Sequence, residues 1–307
     1  MDMRTTAATL TRTALDLYGA ASERGGWHRG AGHGPSALID AGVVAWLARR
    51  GLDVRWRETV RPEGGEDTGP ALDAVASLCR RLADRVEDSV LAGRTFGVFG
   101  GDHSCAIGTW SGVANAVGRA GPIGLVWLDA HMDAHTPATS PSGRLHGMPI
   151  ACLMGHGDDA LVSISRETPA LRPDKICLVG VRSFEDGEHA LLERLGVRVI
   201  FMHEVRTRGL DNVVEEAFAI ARKGTVGFGV SVDLDVLDPS EAPGVGSRAE
   251  GGMVGRDLAA SLARVRGERN FLGLEIAEYN PIFDENGRTA RQVRRLLAAA
   301  FLDGDNR

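Results

Sequence analysis

A chain of 307 residues, 43% of them hydrophobic, can bury a sizeable core and fits one large α/β domain or two small ones. A formal net charge of -6, with no Lys/Arg block, argues against general affinity for nucleic acid. The opening segment, MDMRTTAATLTRT, has no apolar stretch of signal-peptide length, and no run of about 18 apolar residues follows, which argues against a membrane span and makes the cytoplasm the expected compartment.

In chain order, 71–91 carries apolar positions at three- and four-residue spacing and predicts a helix that stops near Gly93. Apolar runs rich in β-formers follow at 96–99, 123–128 and 176–181. A helical pattern at 187–195 precedes a strand at 197–202. Helix 212–221 precedes strand 226–232, and strand 271–276 precedes a last helix at 289–302. Several of the runs do not alternate, as expected of strands covered on both faces. Strand and helix take turns throughout, which predicts a mainly parallel sheet with helices on both sides. Glycine- and proline-rich stretches at 24–35 and 239–252 read as loops, and residues 1–307 as a single domain. The four cysteines (Cys79, Cys105, Cys152 and Cys177) lie far apart with no CxxC, as reduced core thiols do.

In open α/β sheets, ligands bind beyond the carboxyl ends of the strands. There this chain collects acids and imidazoles. Strand 123–128 runs into Asp129-Ala-His131-Met-Asp133, whose polar side chains share one face if the chain stays extended. Strand 226–232 runs into Asp233-Leu-Asp235, and strand 96–99 into Gly-Gly-Asp102-His103. A lone aspartate at a strand end is commonly a cap or turn residue. Four carboxylates together would repel and raise one another's pKa values, and a pair of divalent cations relieves that repulsion. Carboxylate oxygens with two imidazoles and no thiolate suit Mn²⁺, with Fe, Co and Zn as alternatives. The expected product of such a site is hydroxide made from water near neutral pH.

At these residues the sequence resembles the ureohydrolase family of arginases and agmatinases. The matching segments are GGDHSCAIG at 100–108, DAHMD at 129–133, SVDLDVLDP at 231–239 and EYNP at 278–281. The likeness runs from about residue 25, taking in GAGHGPSAL, to GRTA at 287–290. It implies a three-layer α/β/α sandwich, two Mn²⁺ per subunit and a homo-oligomer, trimer or hexamer. Carried over, one ion takes His103, Asp129, Asp133 and Asp233, and the other takes His131, Asp129, Asp233 and Asp235, with Asp129 and Asp233 as bridges.

The segment after DAHMD points to the arginase branch, whose loop grips an α-carboxylate with a Ser and two Asn and carries a proton-shuttling His. Ser142 and His146 match that pattern, whereas His135 and Arg144 stand where arginases usually have Asn. An Arg offers a charged fork suited to carboxylate, so an acidic substrate tail is still expected, held differently or longer than that of arginine. Glu185 stands where arginases place an acid that meets the α-amino group. Glu278 matches the acid that binds the guanidinium, and Ser247 replaces a Thr in a loop, PGVGSRAEGG, that departs from the usual Gly-Thr-Gly-Thr-Pro.

The implied reaction is hydroxide attack on the guanidinium carbon of arginine or a close derivative such as Nω-hydroxyarginine. Asp235 steadies the tetrahedral intermediate. The amine leaves with a proton from Asp235 or His146, giving urea or hydroxyurea and an amino acid such as ornithine. Agmatinase, guanidinobutyrase and formimidoylglutamase types are the alternatives. A zinc-dependent deacetylase on a related fold uses one catalytic metal and has no need of the full ligand set. A metal-binding regulatory homologue has no need of it either.

Overall fold

The computed structural model describes residues 14–65 and 69–302; the opening segment discussed above lies outside them. The chain begins with β1 (Ala14–Ala20), α1 (Gly34–Asp40), α2 (Val43–Ala48) and β2 (Asp53–Val60). Next come α3 (Ala71–Leu91), β3 (Thr95–Gly100), α4 (Ala106–Val117), β4 (Ile123–Leu128), α5 (Pro149–Leu153), α6 (Asp159–Val162) and β5 (Ile176–Val181). They are followed by α7 (Asp186–Leu195), β6 (Arg198–Phe201), α8 (Met202–Arg208), α9 (Leu210–Arg222) and β7 (Gly227–Asp233). The last elements are α10 (Gly255–Leu262), β8 (Phe271–Ala277) and α11 (Arg288–Phe301).

All eight strands join one sheet in the order β2-β1-β3-β8-β7-β4-β5-β6. Every pair is parallel. Strands β3, β4, β5, β7 and β8 are buried at every residue, which is why their apolar runs do not alternate. One apolar core lies under α1, α2, α9, α10 and α11, through residues such as Leu38, Leu47, Val213, Leu258 and Leu296. The other lies under α3, α4 and α5, through Leu78, Leu82, Trp110 and Ile150. The result is the three-layer α/β/α sandwich, with a wholly parallel sheet.

Two strands escaped the pattern reading. β1 carries Asp16 in an otherwise apolar stretch, and that acid is only 1% exposed. Arg94 Nε at 2.8 Å and Ser89 Oγ at 2.8 Å compensate it, so burial of the charge is tolerated. β2 is a sheet edge whose alternating exposure marks one covered face. Helix α4 was missed because nine of its twelve residues are buried, which leaves no polar stripe to set a helical period. Its Trp110 sits edge-on to Phe96 with ring centroids 5.9 Å apart. A Cβ on Gly229 would run into the Trp110 ring, so that position of β7 must stay bare.

The register then does something specific. Phe99 of β3 pairs with Ile276 of β8, Ile276 with Val232 of β7, and Val232 with Leu128 of β4. Four central strands therefore end on one row, and the residues just past that row meet above the sheet. Among the described residues no helix is long and apolar enough to cross a membrane.

Candidate active site

His103, Asp129 and Glu278 each follow one of those strand ends within a few residues, and Asp233 is the last residue of the fourth. The chain turns sharply to place them. A Cβ on Gly101 would strike the Ser22 carbonyl, so the Gly-Gly pair lets β3 pass close beneath the N-terminal segment. Asp102 caps the turn that presents His103. Its Oδ1 accepts from Ser104 N at 3.0 Å and its Oδ2 from Gly25 N at 2.9 Å. Asp133 and Glu278 both adopt positive φ, 49° and 66°, a costly conformation for residues of these types.

The segment 129–133 is not extended, so its three polar side chains part company. Asp129 and Asp133 turn to His103, while His131 turns to Asp235. His103 Nδ1 lies 3.3, 3.1 and 3.2 Å from oxygens of Asp129, Asp133 and Asp233. His131 Nδ1 lies 3.1 Å from Asp235 Oδ2 and 3.6 Å from Asp129 Oδ1. Two ligand groups result, His103-Asp129-Asp133-Asp233 and Asp129-His131-Asp235, with Asp129 common to both. Asp233 enters the first group through Oδ2 while its Oδ1 accepts from Asp235 N at 2.8 Å.

One atom tests whether a cation belongs here. His103 Nδ1 is buried with no hydrogen-bond partner, although three carboxylate oxygens surround it. A buried nitrogen without a partner costs about 1–3 kcal/mol, and a divalent ion among those oxygens would engage it. The donor set and this orphan nitrogen fit a dinuclear divalent metal site.

The electrostatics agree. Burial, and then the charge of Asp129, push the Asp133 carboxyl up to about 6. Burial, then Asp235 and Asp129, raise Asp233 well above the carboxylate range. Burial alone would raise Asp129, but His103 and His131 hold it down. Burial alone would lower the two histidines, but the acids around them raise both well above the usual imidazole value. Without metal, the protein must hold protons here.

That fixes the sign of a pH effect. A group with a raised folded pKa stabilises the fold at low pH and loses that contribution as the pH climbs through the folded value. Asp133, Asp233, His103 and His131 all behave so, and Asp129 opposes them only at the acid end. The metal-free protein should therefore lose stability from about pH 4 upward. Divalent metal should raise the melting temperature more at pH 8 than at pH 5.5, as scanning fluorimetry in chelator and in metal will read. Equal shifts at the two pH values would contradict it.

Behind His103 stands a relay that the sequence reading missed. His103 Nε2 lies 2.9 Å from Ser231 Oγ, which donates to Glu275 Oε1 at 2.8 Å. The Trp127 ring stacks on the imidazole at 4.1 Å and donates through Nε1 to Asp129 Oδ2 at 2.8 Å. The available signal was a Ser and a Glu inside two apolar strands, at positions that the register pairs. Such outer partners set ring orientation and ligand basicity. Ser231→Ala should weaken metal binding about 10- to 100-fold in a calorimetric titration while the protein stays folded. An unchanged isotherm would remove Ser231 from this role.

Arg182 was missed as well. Its guanidinium donates to the carbonyls of Asp235 at 2.6 Å and Ala249 at 2.8 Å, tying the DLD turn to the 244–252 loop.

The two groups floor a cavity of about 460 Å³. All the residues read as contacting substrate line it: His135, Ser142, Arg144, Glu185, Ser247 and Glu278, together with His146. Glu278 Oε1 accepts from His103 N at 2.9 Å and lies 3.2 Å from His146 Nδ1. Its Oε2 has no donor among the described residues. Burial alone would raise this acid, but His146 holds it below its ordinary value. Burial alone would lower His146, but Glu278 pushes it up to about 9. Trp27, exposed at the rim, was not anticipated; its ring lies 4.5 Å from the guanidinium carbon of Arg144.

Comparison with known proteins agrees with this geometry. The Arginase family pattern matches residues 14–302. The arginase of Brevibacillus brevis is 38% identical over 94% of this chain and 98% of its own. The solved arginase of Bacillus caldovelox superposes with a TM-score of 0.87 at 36% identity, covering 95% of this chain and 99% of that one. An Entamoeba histolytica arginase, solved in complex with L-ornithine, gives 0.86 at 28% identity, covering 94% and 98%. The chain belongs to the arginase family of hydrolases.

Proposed function

We propose that this protein is a manganese-dependent arginase that hydrolyses arginine, or a close derivative of it, to urea (or hydroxyurea) and an amino acid such as ornithine. The observation that carries the reading is the free Oε2 of Glu278, a buried anion beside two three- or four-ligand groups on the floor of one cavity. The Entamoeba relative binds L-ornithine, the product expected here.

When bound, two divalent ions lower the pKa of a water and offset the four carboxylates. His103, Asp129, Asp133 and Asp233 would hold one, and His131, Asp129 and Asp235 the other, with Asp129 shared and Asp233 a second candidate bridge. Oxygen donors with two imidazoles favour manganese. Glu278 Oε2 takes the guanidinium N–H groups and fixes the plane of the reacting carbon. Asp235, between His131 Nδ1 and Ala130 N, accepts a proton at the reacting centre. His146, charged at neutral pH through its contact with Glu278, returns one to the leaving amine. His135, Ser142, Arg144, Glu185 and Ser247 form the walls around the substrate's far end.

The remaining parts of the proposal are a single domain over residues 1–307, a homo-oligomer (trimer or hexamer), and a cytoplasmic location, which four buried, unpaired cysteines suit. Light scattering tests the assembly. The test of function is release of urea by the Mn²⁺-loaded protein from arginine, agmatine and 4-guanidinobutyrate, and of hydroxyurea from Nω-hydroxyarginine. Arginine or its hydroxy derivative should be the best substrate; release of urea from agmatine alone, or from none, would overturn the reading.

A further inference from the structure

The cavity wall around the 135–144 loop and the start of α7 decides which charges a substrate tail can meet. Two acids stand there, and the protein has already engaged both. Glu185 caps α7: its side chain accepts the Glu188 N–H, while Glu188 Oε1 accepts the Glu185 N–H at 3.1 Å. Glu185 Oε2 also takes His135 Nε2 at 2.9 Å. Glu188 Oε2 accepts from Ala134 N at 3.4 Å and lies 3.7 Å from the same imidazole nitrogen. His135 is only 6% exposed, with Nδ1 3.2 Å from Thr139 Oγ1, so its ring is fixed against the acid pair. The imidazole holds Glu185 Oε2 and faces Glu188, so an incoming ammonium would have to compete with it for that oxygen, although the Glu185 side chain is otherwise exposed.

Arg144 is the opposite case. Among the described residues its guanidinium forms no ion pair, and the Trp27 ring lies 4.5 Å from its central carbon. An aromatic face steadies a guanidinium while leaving its in-plane N–H fork free, a geometry that matches carboxylate. Ser142 Oγ, which accepts from Arg144 N at 3.2 Å, stands beside it with a hydroxyl to donate.

We propose that this cavity recognises the far end of its substrate through a carboxylate held by Arg144, and that an α-ammonium contributes little. The substrate class is then an ω-guanidino acid, with arginine accepted for its carboxylate. Arg144 and His135 are the specificity-determining residues. This rests on the guanidino-hydrolase reading above and deepens it.

The test compares arginine with 5-guanidinopentanoate, which lacks the amine, and agmatine, which lacks the carboxylate, on the Mn²⁺-loaded protein. The amine-free acid should stay within about fivefold of arginine in kcat/KM, and agmatine should fall about 100-fold. Arg144→Met should shrink the arginine-to-agmatine ratio at least about tenfold, mainly through KM, with Arg144→Lys in between. His135→Asn, which frees Glu185 Oε2 from the imidazole, should raise arginine about tenfold relative to the amine-free acid. A loss of about 100-fold for the amine-free acid in the wild type would overturn the proposal, as would equal losses on all three substrates in Arg144→Met. If none of the three releases urea, the functional reading fails, and calorimetric binding of ornithine, 5-aminopentanoate and putrescine still decides this one. Ornithine and 5-aminopentanoate binding alike, well above putrescine, supports it; ornithine alone binding sinks it.

Discussion

Asp129→Asn is expected to cost the protein its second metal ion and to lower kcat/KM about a thousandfold or more. The side chain keeps its shape, so the argument turns on donors and acceptors. Both oxygens of Asp129 accept hydrogen bonds: Oδ1 from His131 N at 2.7 Å and Oδ2 from Trp127 Nε1 at 2.8 Å. An amide turns one of them into a donor that faces another donor, whichever way it flips. Asp129 is also the residue common to both ligand groups, and it stands beside both imidazoles. Removing its charge leaves His103 and His131 with one fewer anion and takes away the ligand that the two groups have in common. Metal analysis after dialysis, with the melting temperature as a check on folding, reads the result. Two tightly held ions per chain in the variant would refute the shared role.

The location of the site follows from the order in which the chain lays down its sheet. β3 and β4 are consecutive in sequence but stand apart in the sheet, with β8 and β7 filling the space between them. Such gaps are where open α/β sheets bind ligands, because the connections leave in opposite directions and open a crevice. Here the strands that close the gap bring their own acids, Asp233 from β7 and Glu278 from β8, to meet His103 and Asp129 from its flanks.

The ligand residues were legible because each sits at the end of an apolar run, where a carboxylate or an imidazole has no packing purpose. Period and punctuation sufficed for α3, α7, α9 and α11, whose polar and apolar faces differ. They failed for α4, buried nearly all round, and for β1, whose Asp16 breaks the apolar run although Arg94 and Ser89 neutralise it in space. The fixed face expected of 129–133 failed for a related reason. Only the tertiary site holds Asp133 at positive φ, and no local propensity asks for it. The Ser231–Glu275 relay and the Arg182 clamp depend on pairings between distant strands and loops, which a single sequence does not display. The same holds for Glu185. Its spacing to Glu188 is that of a capping box, yet only the folded loop shows that His135 engages the same carboxylate.

Glu278→Gln separates two duties that the structure places on one carboxylate. Oε1 accepts from His103 N and meets His146 Nδ1, and Oε2 is left for the guanidinium. A glutamine can still accept from His103 N through its carbonyl oxygen, so the turn behind the ligand survives and the variant should stay folded. The charge does not survive. A guanidinium buried against a neutral amide loses about 3–5 kcal/mol relative to one buried against a carboxylate, which corresponds to about a hundred- to several-thousandfold in kcat/KM. His146 loses its counter-charge at the same time. Its pKa should drop from about 9 toward or below the ordinary imidazole value, because burial alone pushes it down. The residual activity should therefore fall away at a lower pH than in the wild type, as the proton that His146 supplies is lost earlier. A pH–rate profile of the variant, run beside a metal titration, distinguishes this from simple damage to the metal groups. Unchanged metal affinity with a shifted alkaline limb is the expected pair of results, and a profile of the same shape at reduced height would argue that His146 does not act through Glu278.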